Sequence, residues 1–390
     1  MRKWLLPESI DDVLPTEAAR VEALRRALLD QFRAHGYRLV APPLIEHLDS
    51  LLTGTGRDLE LQTFKFVDPL SGRMLGLRAD TTPQVARIDA HLLNETGVTR
   101  LCYAGNVLRT ATAVPGDTRE VMQIGGELYG FGGIAADREV MQLLLSALSR
   151  AGVGGLHLDL GHVGVYRALA RAAGLDATGE GSDGELFEAL RNKDAAGVRE
   201  LTSALPDVPR DALRALVGLY GPARETIDAA RRVLPALPEV ADALDAVASL
   251  AESATGVEAI HVDLADLRGY HYYTGATFSV FATGGGGNVV DCGRGGRYDG
   301  VGRAFGRARP ATGFTLDLRR LATLVPDSGA TDAIVTPADP DPELAHMVRL
   351  LRAQGEAVVA VLPGEPDGVA TARRTLERQG SEWRVVTRKD

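Results

Sequence analysis

Residues 109–127 read RTATAVPGDTREVMQIGGE. The stretch opens on Arg109 and closes on Arg119, Gln123 and Glu127, while the positions just behind the first arginine are bland: Thr110, Ala111, Thr112, Ala113. With its flanks, RLCYAGNVLR (100–109) and REVMQIGGELYG (119–130), it predicts a hairpin whose loop carries Pro115, Gly116 and Asp117. Side chains alternate along a strand, so Gln123 and Glu127, four residues apart, share one face. A glutamine and a glutamate side by side can hold an ammonium group or an imidazole N–H. The ends of the stretch suit a small charged ligand; its middle does not.

Working outward, TEAARVEALRRALLDQFRAH (16–35) has helical apolar spacing, with Gly36 where a left-handed cap belongs. YRLVAPPLIEH (37–47) is extended, and its two prolines forbid a regular central strand. QTFKFVDPLSGRMLGLR (62–78) predicts two strands around a turn, VARIDAHLL (85–93) a helix, residues 136–151 another, and LHLDLGHV (156–163) a short strand. From 164 to 255 alanine, leucine, arginine and glutamate dominate, which predicts a helical insertion. β-Patterning returns in AIHVDLADL (259–267), YHYYTGATFSVFAT (270–283) and NVVDCG (288–293), with a four-glycine turn at Gly284–Gly287. ATGFTLDLRRLATLV (311–325) starts as a strand and finishes as a helix, and PDSGATD (326–332) reads as a linker. In the tail, DAIVT, PELAHMVRLLRAQ, AVVAVL, GVATARRTLERQ and WRVVT predict a βαβαβ unit with a parallel sheet.

The 390-residue chain is 45% apolar and 24% charged, an ordinary globular composition, and carries a net charge of −9. Nucleic-acid binders draw most of their affinity from phosphate neutralisation, and no basic stripe is visible here. No apolar run approaches the ~18 residues of a membrane span, and MRKWLLPESIDD is no signal peptide, so the expected compartment is the cytoplasm. Cys102 and Cys292 fit neither a metal spacing nor a disulfide framework and read as reduced, partly buried thiols. His157, His162, His261 and His271 are scattered and read as structural, so no metal site is expected. The four glycines have no following GK[ST], and CGRGGRYDG (292–300) lacks a dinucleotide fingerprint.

Three stretches carry chemistry together. In LGLRADTTPQVAR (75–87), Arg78, Asp80, Thr81 and Thr82 cluster between a strand and a helix, where side chains and amides converge. TREVMQIGGE supplies Gln123 and Glu127. LRGYHYYTGATF (267–278) offers Arg268 for a carboxylate and Tyr270, Tyr272 and Tyr273 to wall a ring. The set suits an α-amino acid with a polar ring.

Over residues ~10–325 these stretches resemble the class II aminoacyl-tRNA synthetases, specifically the histidine enzyme. GYRLVAPPLIE with Pro43 resembles the first class motif, YAGNVLR…TREVMQIGGELYG the second, and GFTLDLRRL with Arg320 the third; LRGYHYYTG and GGRYDG resemble the two histidine-specific signatures. The resemblance implies an α+β fold: an antiparallel sheet flanked by helices, with a helical insertion, a small C-terminal α/β domain, and a homodimer through the first motif. The implied boundaries are 1–163 and 256–325 for the core, 164–255 for the insertion and 331–390 for the tail domain.

The departures are one-sided. The family's adenine-reading glutamate is Ala111 here, the glycine of its third motif is Asp317, Arg-Pro-Glu-Gly-Thr becomes Arg78–Thr82, and the aspartate of its Arg-Gly-Leu-Asp-Tyr-Tyr is His271. Positions matching the amino-acid pocket mostly remain: Asp80, Thr82, Arg109, Gln123, Glu127, Arg268, Tyr272, Tyr273 and Tyr298. Ala111, Asp317 and Arg320 mark a degenerate ATP site. The tail is shorter than the synthetase's anticodon domain, and over residues 328–390 its charge is 8 − 10 = −2, a poor surface for an anticodon stem.

RADTTPQVARI, QIGGEL, LRGYHYYTG and PATGFTLDL are similar to the versions of these motifs in the regulatory subunits of ATP phosphoribosyltransferase. That resemblance implies no catalytic residues, no cofactor and no tRNA. It implies a hetero-oligomer with a short catalytic subunit that performs the first step of histidine biosynthesis, and L-histidine as the allosteric, feedback ligand. The expected roles are Gln123 and Glu127 on the α-ammonium or ring, Arg268 on the carboxylate, and the three tyrosines as walls. The alternatives are an active histidine–tRNA ligase or adenylating paralogue, and a histidine-binding module with another partner.

Overall fold

Helix α1 (Pro15–Ala34) opens the computed structural model, which describes residues 5–54, 57–112, 117–176, 184–284, 287–325, 333–338, 340–362 and 372–387. Val21, Leu24, Leu28 and Phe32 recur at three- and four-residue spacing along it and are buried, so one stripe meets the core. The prolines after Gly36 leave only two short strands, β1 (Arg38–Leu39) and β2 (Ile45–His47). Short helices α2 (Leu48–Leu51) and α3 (Arg57–Gln62) precede β3 (Lys65–Val67) and β4 (Met74–Leu77), the two strands predicted around a turn. They form a three-stranded sheet with β2, in the order β2-β4-β3. Helix α4 (Thr82–Arg87) continues into a π-helical turn at Ile88–Leu93.

The predicted hairpin is β5 (Thr99–Leu108) and β6 (Glu120–Tyr129), antiparallel from Thr99↔Tyr129 to Leu108↔Glu120. Its loop residues 113–116 lie outside the described residues. Helix α5 (Ile134–Arg150) and strand β7 (Leu156–His162) lead into the insertion: α6 (Val163–Ala172), α7 (Gly184–Arg191), α8 (Ala195–Leu201), α9 (Asp207–Leu216), α10 (Ala223–Val233) and α11 (Pro238–Ser253). It also contains a strand that its helical texture hides, β8 (Tyr220–Pro222); three residues carry no periodicity, and only pairing with a neighbour defines them.

The chain returns through β9 (Ala259–Asp263), β10 (Ala276–Thr283), β11 (Val289–Arg297), β12 (Ala311–Asp317) and helix α12 (Leu318–Ala322). The resulting nine-stranded sheet has the order β1-β5-β6-β12-β11-β10-β7-β9-β8. Only β1/β5 and β7/β9 pair in parallel among its described strands. Leu190, Leu213, Ile227 and Leu244 of the insertion are buried in the same contiguous core as Leu28, Leu144 and Phe314. The insertion is thus packed into one compact unit, residues 1–325, and residues 326–390 form a second.

That second unit corrects one expectation. Strands β13 (Ile334–Thr336), β14 (Val358–Ala360), β15 (Arg374–Gln379) and β16 (Glu382–Thr387), with helix α13 (Pro342–Ala353), form a sheet ordered β14-β13-β15-β16. The segment GVATARRTLERQ was expected to be helical; residues 368–371 lie outside the described residues, but Arg374–Gln379 is a strand. It runs antiparallel to β16, so the sheet is mixed rather than parallel. Gly380, at φ +64, opens a two-residue turn closed by Gln379↔Glu382. The hairpin brings Leu376 and Trp383 together in a core with Ile334, Leu344 and Val358, and the indole N–H donates to Asp341 Oδ2 at 2.8 Å. That burial outweighs the helical propensity of the intervening charged residues.

Candidate functional site

A cavity of about 230 Å³ lies over β6, β12, β11 and β10 in the first unit. Asp80, Thr82, Arg109, Gln123, Glu127, Arg268, Tyr272, Tyr273 and Tyr298 all line it, so the structure gathers around one space the nine side chains grouped from the sequence. Its floor is cleared by glycines on neighbouring strands: a Cβ on Gly313 of β12 would collide with the Glu127 carboxylate. The volume lies below the ~300–1,000 Å³ of drug-sized pockets, which suits a small metabolite.

Gln123 is largely committed. Its Oε1 accepts from the Thr81 amide at 3.0 Å and the Thr81 hydroxyl at 2.9 Å, and its Nε2 donates to Asp80 Oδ1 at 3.0 Å. It therefore aims Asp80 into the cavity as much as it meets a ligand itself. Glu127 is 1% exposed. Its Oε2 accepts a hydrogen bond from the Tyr298 hydroxyl, which is also 3.2 Å from the Tyr129 hydroxyl. Burial pushes the Glu127 carboxyl up to about 8, with the Tyr298 hydrogen bond working against it and the Asp80 charge reinforcing it. Among the described residues, two buried polar atoms here, Glu127 Oε1 and the Tyr272 hydroxyl, have no hydrogen-bond partner. Unsatisfied buried groups are costly, and a pocket that keeps them is equipped for a polar ligand.

The tyrosines form a continuous wall. Tyr272 stacks on Tyr298, with centroids 4.9 Å apart, and meets Tyr273 edge to face at 5.3 Å. Arg268 is held bidentately by Asp266, at 2.8 and 2.6 Å, and Arg109 Nε donates to the Ala79 carbonyl at 3.3 Å.

A second compartment of about 150 Å³ shares Arg109, Gln123, Arg294 and Thr315 with the first. Two of its arginines are paired with acids: Arg320 donates to Asp117 at 2.6 Å and lies 4.0 Å from Asp291, which also pairs with Arg294. Asp317, expected as an obstacle to a nucleotide, lines this space but spends its carboxylate capping α12, accepting from the Arg319 and Arg320 amides at 3.0 and 3.4 Å. Ala111 is exposed and lines neither compartment.

Arg78, grouped with the convergent residues from the sequence, turns away: its Nη1 donates to the Pro42 carbonyl at 2.9 Å and its Nε to that of Asn106 at 2.7 Å. His271 lies outside the cavity, its ring 5.7 Å from that of Phe187. Asp159, Asp266 and Arg294 also line the cavity and were not singled out. The available signal for Arg294 was its place between Gly293 and Gly295, where glycines leave room beside a strand. Cys102 and Cys292 are buried free thiols. Among the described residues no group of His, Cys, Asp and Glu could hold a metal, and no helix is long and apolar enough to cross a membrane.

Residues 9–321 match the family described as histidyl-tRNA synthetase, and residues 331–386 match the ATP phosphoribosyltransferase subunit HisZ C-terminal domain. The regulatory subunit of ATP phosphoribosyltransferase from Cupriavidus metallidurans is 53% identical over 388 residues, covering 99% of both chains. The chain belongs to the ATP phosphoribosyltransferase regulatory subunit family. Within that family, the Burkholderia vietnamiensis protein is 54% identical over the whole of both chains. A crystal structure described as an ATP phosphoribosyltransferase regulatory subunit/histidyl-tRNA synthetase from Bacillus halodurans C superposes with a TM-score of 0.79 at 28% identity, covering 94% of each chain. Histidyl-tRNA synthetase from Nostoc sp. PCC 7120 shares the fold at 17% identity, with a TM-score of 0.75 over 97% of this chain and 92% of that one.

Proposed function

We propose that the chain binds L-histidine in the 230 Å³ cavity and carries feedback inhibition to a short catalytic subunit that it otherwise activates, without charging tRNA or performing chemistry of its own. The supporting observation is the contrast between the two compartments. The first presents unspent polar atoms, Glu127 Oε1 and the Tyr272 hydroxyl, beside Asp80 and a tyrosine wall. In the second, Arg294 and Arg320 are already engaged by Asp291 and Asp117, which weakens the field that would draw a triphosphate.

In this reading Asp80 takes the α-ammonium, Glu127 an imidazole N–H, and Arg109 and Arg268 the carboxylate, while Tyr272, Tyr273 and Tyr298 enclose the ring. Histidine favours one arrangement of the complex and shifts the population toward the less active one. A homodimer through the first-motif region, residues 36–46, the cytoplasm as compartment and the absence of a tRNA partner belong to the same proposal. Its test is calorimetry with histidine together with histidine-dependent ATP–pyrophosphate exchange. Binding without exchange is expected, and exchange at synthetase-like rates would overturn the reading in favour of an active ligase.

A further inference from the structure

Residues 268–275 deliver Arg268, Tyr272 and Tyr273 to the cavity, yet they form neither strand nor helix. The segment folds on itself: the Tyr270 amide donates to the Leu267 carbonyl at 3.1 Å, and the Tyr272 and Tyr273 amides to that of Gly269 at 2.9 and 2.8 Å. Gly269 sits at φ +70, and a Cβ there would come within 2.7 Å of the Tyr273 ring. A wall built this way depends on what grips it from outside.

The grip comes largely from the insertion. The Val163 amide, at the start of α6, donates to the Gly275 carbonyl at 3.2 Å. One turn on, Arg167 Nη2 donates to the carbonyls of both Tyr270 and Tyr273, at 2.8 Å each, and its guanidinium lies 4.6 Å from the centre of the Tyr270 ring. That ring is wedged edge-on against Tyr166 of α6, at 5.3 Å, and tilted against Phe187 of α7, at 5.2 Å. The helix start is itself secured by His162, whose Nδ1 accepts from the Gly164 amide at 3.1 Å. Burial lowers that imidazole to about 4, so it stays neutral and keeps its acceptor around neutral pH.

We infer that Arg167 is a positioning residue for the ligand cavity, clamping the Tyr270–Tyr273 backbone so that Tyr272 and Tyr273 stand as its wall, and that α6 and α7 are the elements that register whether the cavity is filled. The clamp stands on geometry alone; the registering of histidine rests on the function proposed above. Neither Arg167 nor Tyr270 lines the cavity, so Arg167 acts on its wall through the backbone.

The test uses the full chain carrying Arg167→Met, which keeps the apolar stem and removes the donors, beside Arg167→Lys. Hydrogen exchange is followed without ligand over residues 268–275, histidine affinity by calorimetry, and histidine inhibition in the complex with the catalytic subunit. The expected result for Arg167→Met is about tenfold faster exchange at the Tyr272 and Tyr273 amides and about tenfold weaker histidine binding, with partial recovery of both in Arg167→Lys. Leu28→Ala, on α1, which packs against α5 and α12 rather than α6, controls for a general loss of stability and should leave exchange over 268–275 unchanged. If Arg167→Met does not fold, Arg167→Leu, which also removes the donors, is read in the same way. Unchanged exchange over 268–275 overturns the clamp. Faster exchange with unaltered histidine affinity overturns its link to the cavity. Faster exchange in a protein whose wild type binds no histidine leaves the clamp standing and removes the proposed ligand instead.

Discussion

Glu127 is the residue at which charge, burial and the proposed ligand meet. Its ordinary value is 4.5 and burial raises it to about 8. Between those values the folded chain holds a proton that the unfolded chain has released, so this group's contribution to stability is full below 4.5 and is lost as pH rises through 8. Glu127→Gln removes the titration while preserving shape. The variant should gain on the wild type progressively across that window, by on the order of a few kcal/mol, in urea unfolding at a series of pH values. A constant difference across the window would mean that Glu127 is already ionised. The same proton should appear on binding: an α-ammonium on Asp80 cancels the negative charge that helps keep Glu127 protonated, so histidine binding near neutral pH should release a proton. Calorimetry in buffers of different ionisation heat reads that release directly, and equal heats in all buffers would contradict it.

At the scale of elements, Asp317 illustrates how one substitution does two jobs. It caps α12 through the amides of Arg319 and Arg320, and it stands in the second compartment. Asp317→Ala should cost about 1 kcal/mol in denaturant unfolding through the lost cap. Because Asp117 and Asp291 still face Arg320, it should not by itself create tight ATP binding; tight ATP binding by this variant but not by the wild type would show that Asp317 alone closes the compartment. The hairpin β5–β6 and helix α1 were legible in the sequence because each has a long, regular apolar pattern. The β15–β16 hairpin was not, since Leu376 and Trp383 find their partners in β13, β14 and α13 rather than in their own neighbours.

At the scale of the whole molecule, the buried residues of 1–325 and of 326–390 belong to separate cores. Trp383→Ala empties the centre of the smaller core and should destabilise that unit by about 3–5 kcal/mol. Residues 1–325 should keep their own unfolding transition, followed by hydrogen exchange in β5 and β6; loss of protection there would show that the two units fold as one. The nine-stranded sheet, by contrast, unites segments far apart in sequence: β6 pairs with β12, and β7 with both β10 and β9. Glu127, Arg268 and Tyr298 are neighbours only because of that sheet and the insertion that packs behind it.

The sequence by itself determined which residues would share the cavity, because strand alternation puts Gln123 and Glu127 on one face and three resemblance-bearing stretches supply the rest. It also placed only a methyl group, that of Ala111, at the position matching the family's adenine-reading glutamate. Only the tertiary structure decided how those residues behave. Gln123 is spent on Thr81 and Asp80, Arg78 turns to Pro42 and Asn106, and Arg320 is taken by Asp117. The upward shift of the Glu127 carboxyl likewise comes from burial, which only the folded chain creates. The physical reason is the same in each case: local periodicity fixes which face a side chain occupies, whereas desolvation and hydrogen-bond partners come from contacts that only the assembled sheet creates.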